Sequence, residues 1–139
     1  MRVGDCMTAS PQFLAPSASM REAVTLLQRH HIRHIPIVEG ASLVGIVTDR
    51  DVRRASPSLL SGINQSDYDE VLDATQLSRI MTRQPLTVTP DNEVVDAVRV
   101  LVEKRVGGLP VVKDGRLVGM FTSSDALRVL LHVLAKVPG

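Results

Sequence analysis

The sequence predicts a mixed α/β (α+β) fold of two pseudo-symmetric strand-helix-strand-strand-helix units packed as one module, and three observations carry that prediction. The first is an internal repeat. Residues 7–54 slide onto 81–128 without a gap, and 15 of the 48 pairs are identical, among them Met7/Met81, Thr8/Thr82, Pro36/Pro110, Gly45/Gly119, Thr48/Thr122 and Asp51/Asp125. A period this long is not a short-repeat solenoid; it marks two copies of one compact unit. The second is periodicity, since short β-branched runs alternate with helical stretches in the same order in both copies. The third is size. Each copy alone is short for a stable core, so the two are expected to pack on one another, with residues 1–55 as the first, 56–76 as a linker with a short helix, and 77–139 as the second.

The elements follow in order. Copy one opens with a short segment from Val3 to Met7 and a stretch bounded by Pro11 and Pro16. Ser19 with Glu22 three residues on forms a capping box, at the mouth of a helix to about His31 whose apolar face is Ala23, Val24, Leu26 and Leu27. Ile35–Val38 and Leu43–Val47 read as two buried strands around a turn at Glu39-Gly40, and a second helix starts near Asp49. Ser56–Ser66 is rich in Ser, Pro, Gly and Asn and reads as linker, with a helical turn at Tyr68–Leu72 whose acidic residues form a solvated face. Copy two repeats the order: Leu86–Thr89 as a strand, Asp91 capping a helix over 92–105, strands at Leu109–Val112 and Leu117–Phe121, and a last helix from about Ser123 to Lys136. Asp114-Gly115 between its strands is a strong two-residue hairpin signal.

Composition excludes several function classes. Of 139 residues one is Tyr, two are Phe and none is Trp, so the aromatic platforms of base-stacking modules are missing. A formal charge of +1 gives no general pull toward nucleic acid or an acidic membrane. No signal-peptide pattern opens the chain and no apolar run is long enough to span a bilayer, so a cytoplasmic location is expected. The single Cys6 suits a reducing compartment and has no activating neighbour in sequence. His30 and His34 are four apart, but Pro36 ends the helix near them and no third ligand joins, so no metal site is expected. No nucleophile–base set is legible, which argues against an enzyme.

The candidate chemistry lies in Gly45-Ile-Val-Thr48-Asp-Arg-Asp51 and Gly119-Met-Phe-Thr122-Ser-Ser-Asp125, each where a strand hands over to a helix. Thr-x-x-Asp is itself a capping box, and capping alone accounts for either copy. A second reading fits equally well: free N–H groups at the helix start suit a phosphate, and the Asp can accept two ribose hydroxyls.

The doubled unit, both Gly-h-h-Thr-x-x-Asp stretches, the Met-Thr opening of each copy and the Ile/Leu-Pro-hydrophobic-Val strands resemble a CBS-domain pair, over essentially the whole chain. His31-Ile-Arg-His-Ile-Pro, Val47-Thr-Asp-Arg-Asp-Val and Ala55-Ser-Pro-Ser further resemble the CBS protein of bacterial acetoin-utilisation operons. The resemblance implies a non-catalytic regulatory module that binds AMP, ADP, ATP, S-adenosylmethionine or a related adenosyl ligand in clefts between the copies. It also implies a homodimer and a regulated protein partner. Carried over residue by residue, it implies one site of Thr48, Arg50, Asp51, Thr82, Gln84, Leu86, Val106 and Gly107, with Arg33 and His34 at its phosphate end. The other is Thr122, Ser124, Asp125, Thr8, Ser10, Gln12, Ile32 and Arg33. Arg33 and His34 correspond to Gly107 and Gly108, and Arg50 to Ser124, so the Asp51 site is expected to take the more anionic ligand. The rival reading is a dimerisation scaffold with vestigial sites. Leu127, Leu130, Leu131 and Leu134 form an apolar face of the last helix, expected to be buried within the module or against a second chain.

Overall fold

The computed structural model describes residues 1–138. In chain order the elements are α1 (Val3–Cys6), β1 (Thr8–Ala9), α2 (Met20–His30), β2 (His34–Glu39), β3 (Ser42–Thr48), α3 (Asp49–Ala55), α4 (Gln65–Ala74), β4 (Thr82–Arg83), α5 (Val94–Lys104), β5 (Gly108–Lys113), β6 (Arg116–Thr122) and α6 (Ser123–Leu134). They form two compact units: Gln12–Gln84, here the Asp51 unit, and Met1–Pro11 with the segment from Pro85 onward, here the Asp125 unit.

In the Asp51 unit, β2 pairs antiparallel with β3 from His34↔Thr48 to Glu39↔Ser42, and β4 adds to the other side of β3 through Gly45↔Arg83 and Ile46↔Thr82. Pro36 has no N–H to give to a ladder and is tolerated because β2 lies at the sheet edge. The Ser19–Glu22 capping box starts α2, and His31 ends it in the left-handed conformation at φ 51°. The helix sets Met20 and Ala23 against Ile35, Ile37 and Val47, while α3 and α4 both pack on α2 and contribute Val52 and Leu72.

The Asp125 unit repeats this plan. β5 pairs with β6 from Gly108↔Thr122 to Lys113↔Arg116, and β1 adds through Thr8↔Met120 and Ala9↔Gly119. Val94, Ala97 and Leu101 on α5 close a core with Val3, Leu109, Val111 and Phe121. Each sheet therefore takes its short third strand from the opposite sequence copy. The repeat is also written into the backbone: Ser10 and Gln84 share φ values of 49° and 48°, and His31 and Arg105 share 51° and 55°.

Several elements differ from the sequence expectation. Leu86–Thr89 is not a strand; Pro85 and Pro90 remove donors at both ends, and a single parallel bridge, Val88↔Val111, survives. Asp91 does not cap α5, which starts after Glu93; Asp91 pairs with Arg2 at 3.3 Å, and Asn92 Oδ1 instead accepts from the Thr89 N–H at 2.7 Å. The first hairpin turns at Gly40-Ala41, one residue later than Glu39-Gly40, with Gly40 at φ 62°. The turn at Tyr68–Leu72 is the middle of a ten-residue helix, α4, capped by Asn64. Its acidic residues are not merely solvated, since Asp69 and Asp73 both pair with Arg21.

Candidate functional site

Both Thr-x-x-Asp stretches are reciprocal capping boxes. Thr48 Oγ1 accepts from the Asp51 N–H at 3.1 Å, and Asp51 Oδ2 accepts from the Thr48 N–H at 2.9 Å. In the second copy Thr122 Oγ1 and the Asp125 N–H are 3.4 Å apart, and Asp125 Oδ2 accepts from the Thr122 N–H at 2.8 Å. The start of each helix is also tied to the residue before the preceding hairpin: the Asp49 N–H donates to the Arg33 carbonyl, just ahead of β2, at 3.0 Å, and the Ser123 N–H to that of Gly107, just ahead of β5, at 2.9 Å.

Around Asp51 the unit assembles unequal chemistry. Arg33 and Arg50 are exposed beside the start of α3, and half-buried His34 faces Thr48 across the β2–β3 ladder. Burial pushes the His34 imidazole below its ordinary value, with Arg33 adding to the effect and Asp49 and Asp51 opposing it. It is therefore a neutral hydrogen-bonding group near pH 7, and the cationic character here comes from Arg33 and Arg50. Thr82, opposite Ile46, and Gln84 just beyond β4 belong to the same unit; Leu86, Val106 and Gly107 fall in the other.

Around Asp125, Thr8, Ser10, Thr122 and Ser124 share one unit, whereas Gln12, Ile32 and Arg33 fall in the other. Gly107 and Gly108 stand where Arg33 and His34 stand in the first copy, so these two positions carry no cation in the second. Asp125 is only 2% exposed, and its side chain takes two further partners: Thr8 Oγ1 at 3.0 Å and Arg128 Nη1 at 2.9 Å. From the sequence, Arg128 reads as part of a solvated face of the last helix with His132 and Lys136, not as a partner of Asp125. Its signal is the spacing Asp-x-x-Arg, which occurs equally as Asp51/Arg54, so pattern alone could not single it out.

The remaining candidates resolve simply. His30 ends α2 while His34 opens β2, and no group of three metal-binding side chains occurs among the described residues. Burial first, then Asp5, raises the Cys6 thiol, which disfavours the reactive thiolate. Leu127, Leu130, Leu131 and Leu134 are exposed, and with Val98 and Val102 of α5 two of them line an apolar groove of about 490 Å³. Among the described residues no helix is long and apolar enough to cross a membrane.

The CBS domain model matches residues 3–58 and 77–132. A CBS domain-containing protein of Dictyostelium discoideum is 41% identical over 118 residues, covering 84% of this chain and 81% of its own. Among solved structures, AcuB from Vibrio cholerae superposes with a TM-score of 0.81 at 28% identity, over 97% of this chain and 93% of that one. CBSX2 in complex with AMP gives 0.79 at 30% identity, over 96% and 98%; the protein is from Arabidopsis thaliana. The CBS domain pair of protein MJ0100, in complex with 5′-methylthioadenosine and S-adenosyl-L-methionine, gives 0.76 at 32% identity, over 96% and 98%.

Proposed function

This chain belongs to the CBS-domain family, and from that premise we propose that it is a non-catalytic, cytoplasmic sensor of adenine nucleotides or related adenosyl ligands, which passes ligand state to a partner protein. One observation carries the reading. Asp51 spends Oδ2 on the Thr48 N–H and has no hydrogen-bond partner on Oδ1 among the described residues, while Arg33 and Arg50 stand exposed in the same unit. A carboxylate with spare acceptor capacity in the same unit as two exposed guanidinium groups suits a ligand with a ribose diol at one end and phosphate at the other. The AMP complex of CBSX2 and the adenosyl complexes of MJ0100 support the ligand class. Thr48, Arg50, Asp51, Arg33, His34, Thr82 and Gln84 are the proposed contacts from this unit, with Leu86, Val106 and Gly107 as contributions from the other. For Asp125 they are Thr122, Ser124, Thr8 and Ser10, with Gln12, Ile32 and Arg33.

Signalling then follows from differential affinity: a ligand shifts the protein only as far as it binds one conformation better than another. Calorimetric titration with AMP, ATP and S-adenosylmethionine tests the reading. Saturable binding that Asp51→Ala removes, in a protein that still melts cooperatively, supports it; undiminished binding by Asp51→Ala rejects the site.

A second reading, a dimerisation scaffold, is favoured by the exposed leucines of α6. A homodimer through this face fits both readings. Sedimentation of Leu130→Glu would give a monomer under conditions where the native chain self-associates, and only the sensor reading expects nucleotide to alter the profile.

A further inference from the structure

The repeat supplies the same three residue types around both aspartates: Thr8, Asp125 and Arg128 in one unit, Thr82, Asp51 and Arg54 in the other. Only the first set is bonded. Oδ1 of Asp125 accepts from Thr8 Oγ1 at 3.0 Å and Arg128 Nη1 at 2.9 Å, and Oδ2 is contacted by the Thr122 N–H at 2.8 Å and Thr122 Oγ1 at 3.1 Å. A carboxylate offers about four lone-pair positions, so its capacity is filled. At Asp51 the corresponding Arg54 makes no ion pair and Thr82 makes no hydrogen bond to the carboxylate among the described residues, and the carboxylate is half-buried rather than enclosed.

From this contrast we infer that Arg128 is an internal competitor for the Asp125 carboxylate, closing the second aspartate to a ribose diol in the free protein and leaving Asp51 as the working acceptor. The inference rests on the reading above that these aspartates accept sugar hydroxyls. Its physical basis is the order of hydrogen-bond strengths. An arginine–carboxylate bond is charge-assisted at both ends, whereas a ribose hydroxyl brings a neutral donor to the same oxygen. A neutral nucleoside therefore loses the exchange. The guanidinium remains largely in water, with 72% of the Arg128 side chain exposed, so removing it opens the carboxylate without emptying the core. The Thr8 hydroxyl can turn to suit an incoming partner.

The test uses adenosine, which carries the diol and no phosphate, titrated into the full chain in an Asp51→Ala background so that only Asp125 is read. Asp51→Ala alone is expected to bind no adenosine measurably. Asp51→Ala with Arg128→Met is expected to bind one equivalent at least tenfold more tightly, to lose it on further Asp125→Ala, and to bind 2′,3′-dideoxyadenosine no better than the parent does. Arg128→Gln gives an independent reading should the Met variant fold poorly. Binding of adenosine through Asp125 while Arg128 is intact would overturn the inference. So would silence of both Arg128 variants when the native chain binds AMP, and that outcome leaves the Asp51 site standing. If the native chain also ignores AMP, the inference and the proposed function fall together.

Discussion

Replacing Gly45 with alanine should destabilise the Asp51 unit, although the same change at an unhindered strand position would stabilise it. Gly45 lies on β3 opposite Arg83, and its φ is not in the left-handed region, so alanine meets no backbone objection. Removing a strand glycine then gains about 0.5–1 kcal/mol, because the unfolded chain loses conformational freedom. Against that, an added Cβ would stand 2.6 Å from Met81 Sδ and 2.9 Å from the Thr82 carbonyl oxygen. The thioether can swing aside; the carbonyl cannot move without shifting β4, a strand held by two register pairs at the sheet edge. Overpacking of this kind costs about 1–3 kcal/mol. The clash outweighs the gain, leaving a net loss of roughly 0–2.5 kcal/mol centred on about 1 kcal/mol, a melting temperature lower by on the order of 3–5 °C at that centre for a chain of this size. Gly119→Ala should behave alike, since its Cβ would meet Met7 Sδ at 2.5 Å and the Thr8 carbonyl oxygen at 3.0 Å. Thermal unfolding followed by far-ultraviolet circular dichroism reads the sign, and hydrogen exchange at Thr82 and Arg83 reads the strand. A melting temperature equal to or above that of the parent, with those amides still protected, would refute the close-approach argument.

Three further outcomes follow from the same geometry. His34 has a depressed folded value because of burial, so below its ordinary value of 6.5 the unfolded chain binds a proton that the folded chain refuses. Its contribution to stability is present above that pH and is lost as the pH falls below it, and His34→Asn should flatten this part of a pH–urea stability profile. Phe121 is fully buried in the Asp125 unit, and Phe121→Ala should cost about 3–5 kcal/mol in denaturant unfolding; a loss under 1 kcal/mol would contradict the core assignment. Arg33→Ala should weaken AMP about tenfold, within the range for a charged hydrogen bond at an exposed site, and leave adenosine affinity unchanged; equal weakening of both would remove Arg33 from the phosphate end.

What was legible in the sequence is what the backbone demands twice. The capping boxes at Ser19, Thr48 and Thr122 form, and Asp114-Gly115 turns with both residues at positive φ, because these signals act over three or four residues. The two-residue strands β1 and β4 were not legible. Neither Thr8-Ala9 nor Thr82-Arg83 carries an apolar alternation, and each is a strand only because a neighbour in the opposite copy offers its edge. α4 was half-read for another reason: its apolar stripe is essentially Tyr68 and Leu72 amid acidic residues, and what orders the acidic face is Arg21, 48 and 52 positions earlier. At the site the residue types could be named, but the state of each could not. Burial of His34 disfavours its cationic form further, and enclosure of Asp125 turns an expected acceptor into a filled one.

That division bears on how a duplicated chain comes to have unequal sites. The glycines that let β1 and β4 approach and the cap threonines stayed identical, and their loss would cost the fold; Ser10/Gln84 and His31/Arg105 changed residue type but keep the same positive φ. Arg33/Gly107, His34/Gly108 and Arg50/Ser124 are among the positions that diverged and lie near the helix starts; Arg33, Arg50 and Ser124 are exposed, while His34 is half-buried and Gly108 is buried. Retention of Asp51 and Asp125 alone is therefore weak evidence that both bind, because each also serves its own cap. The capping role is separable by substitution. Asp51→Asn keeps an acceptor for the Thr48 N–H, so the helix start survives, but it removes the charge and half of the acceptor capacity available to a diol. If Asp51→Asn folds like the parent and no longer binds AMP, the aspartate is held for ligand as well as for the cap; if it binds undiminished, the cap alone explains Asp51.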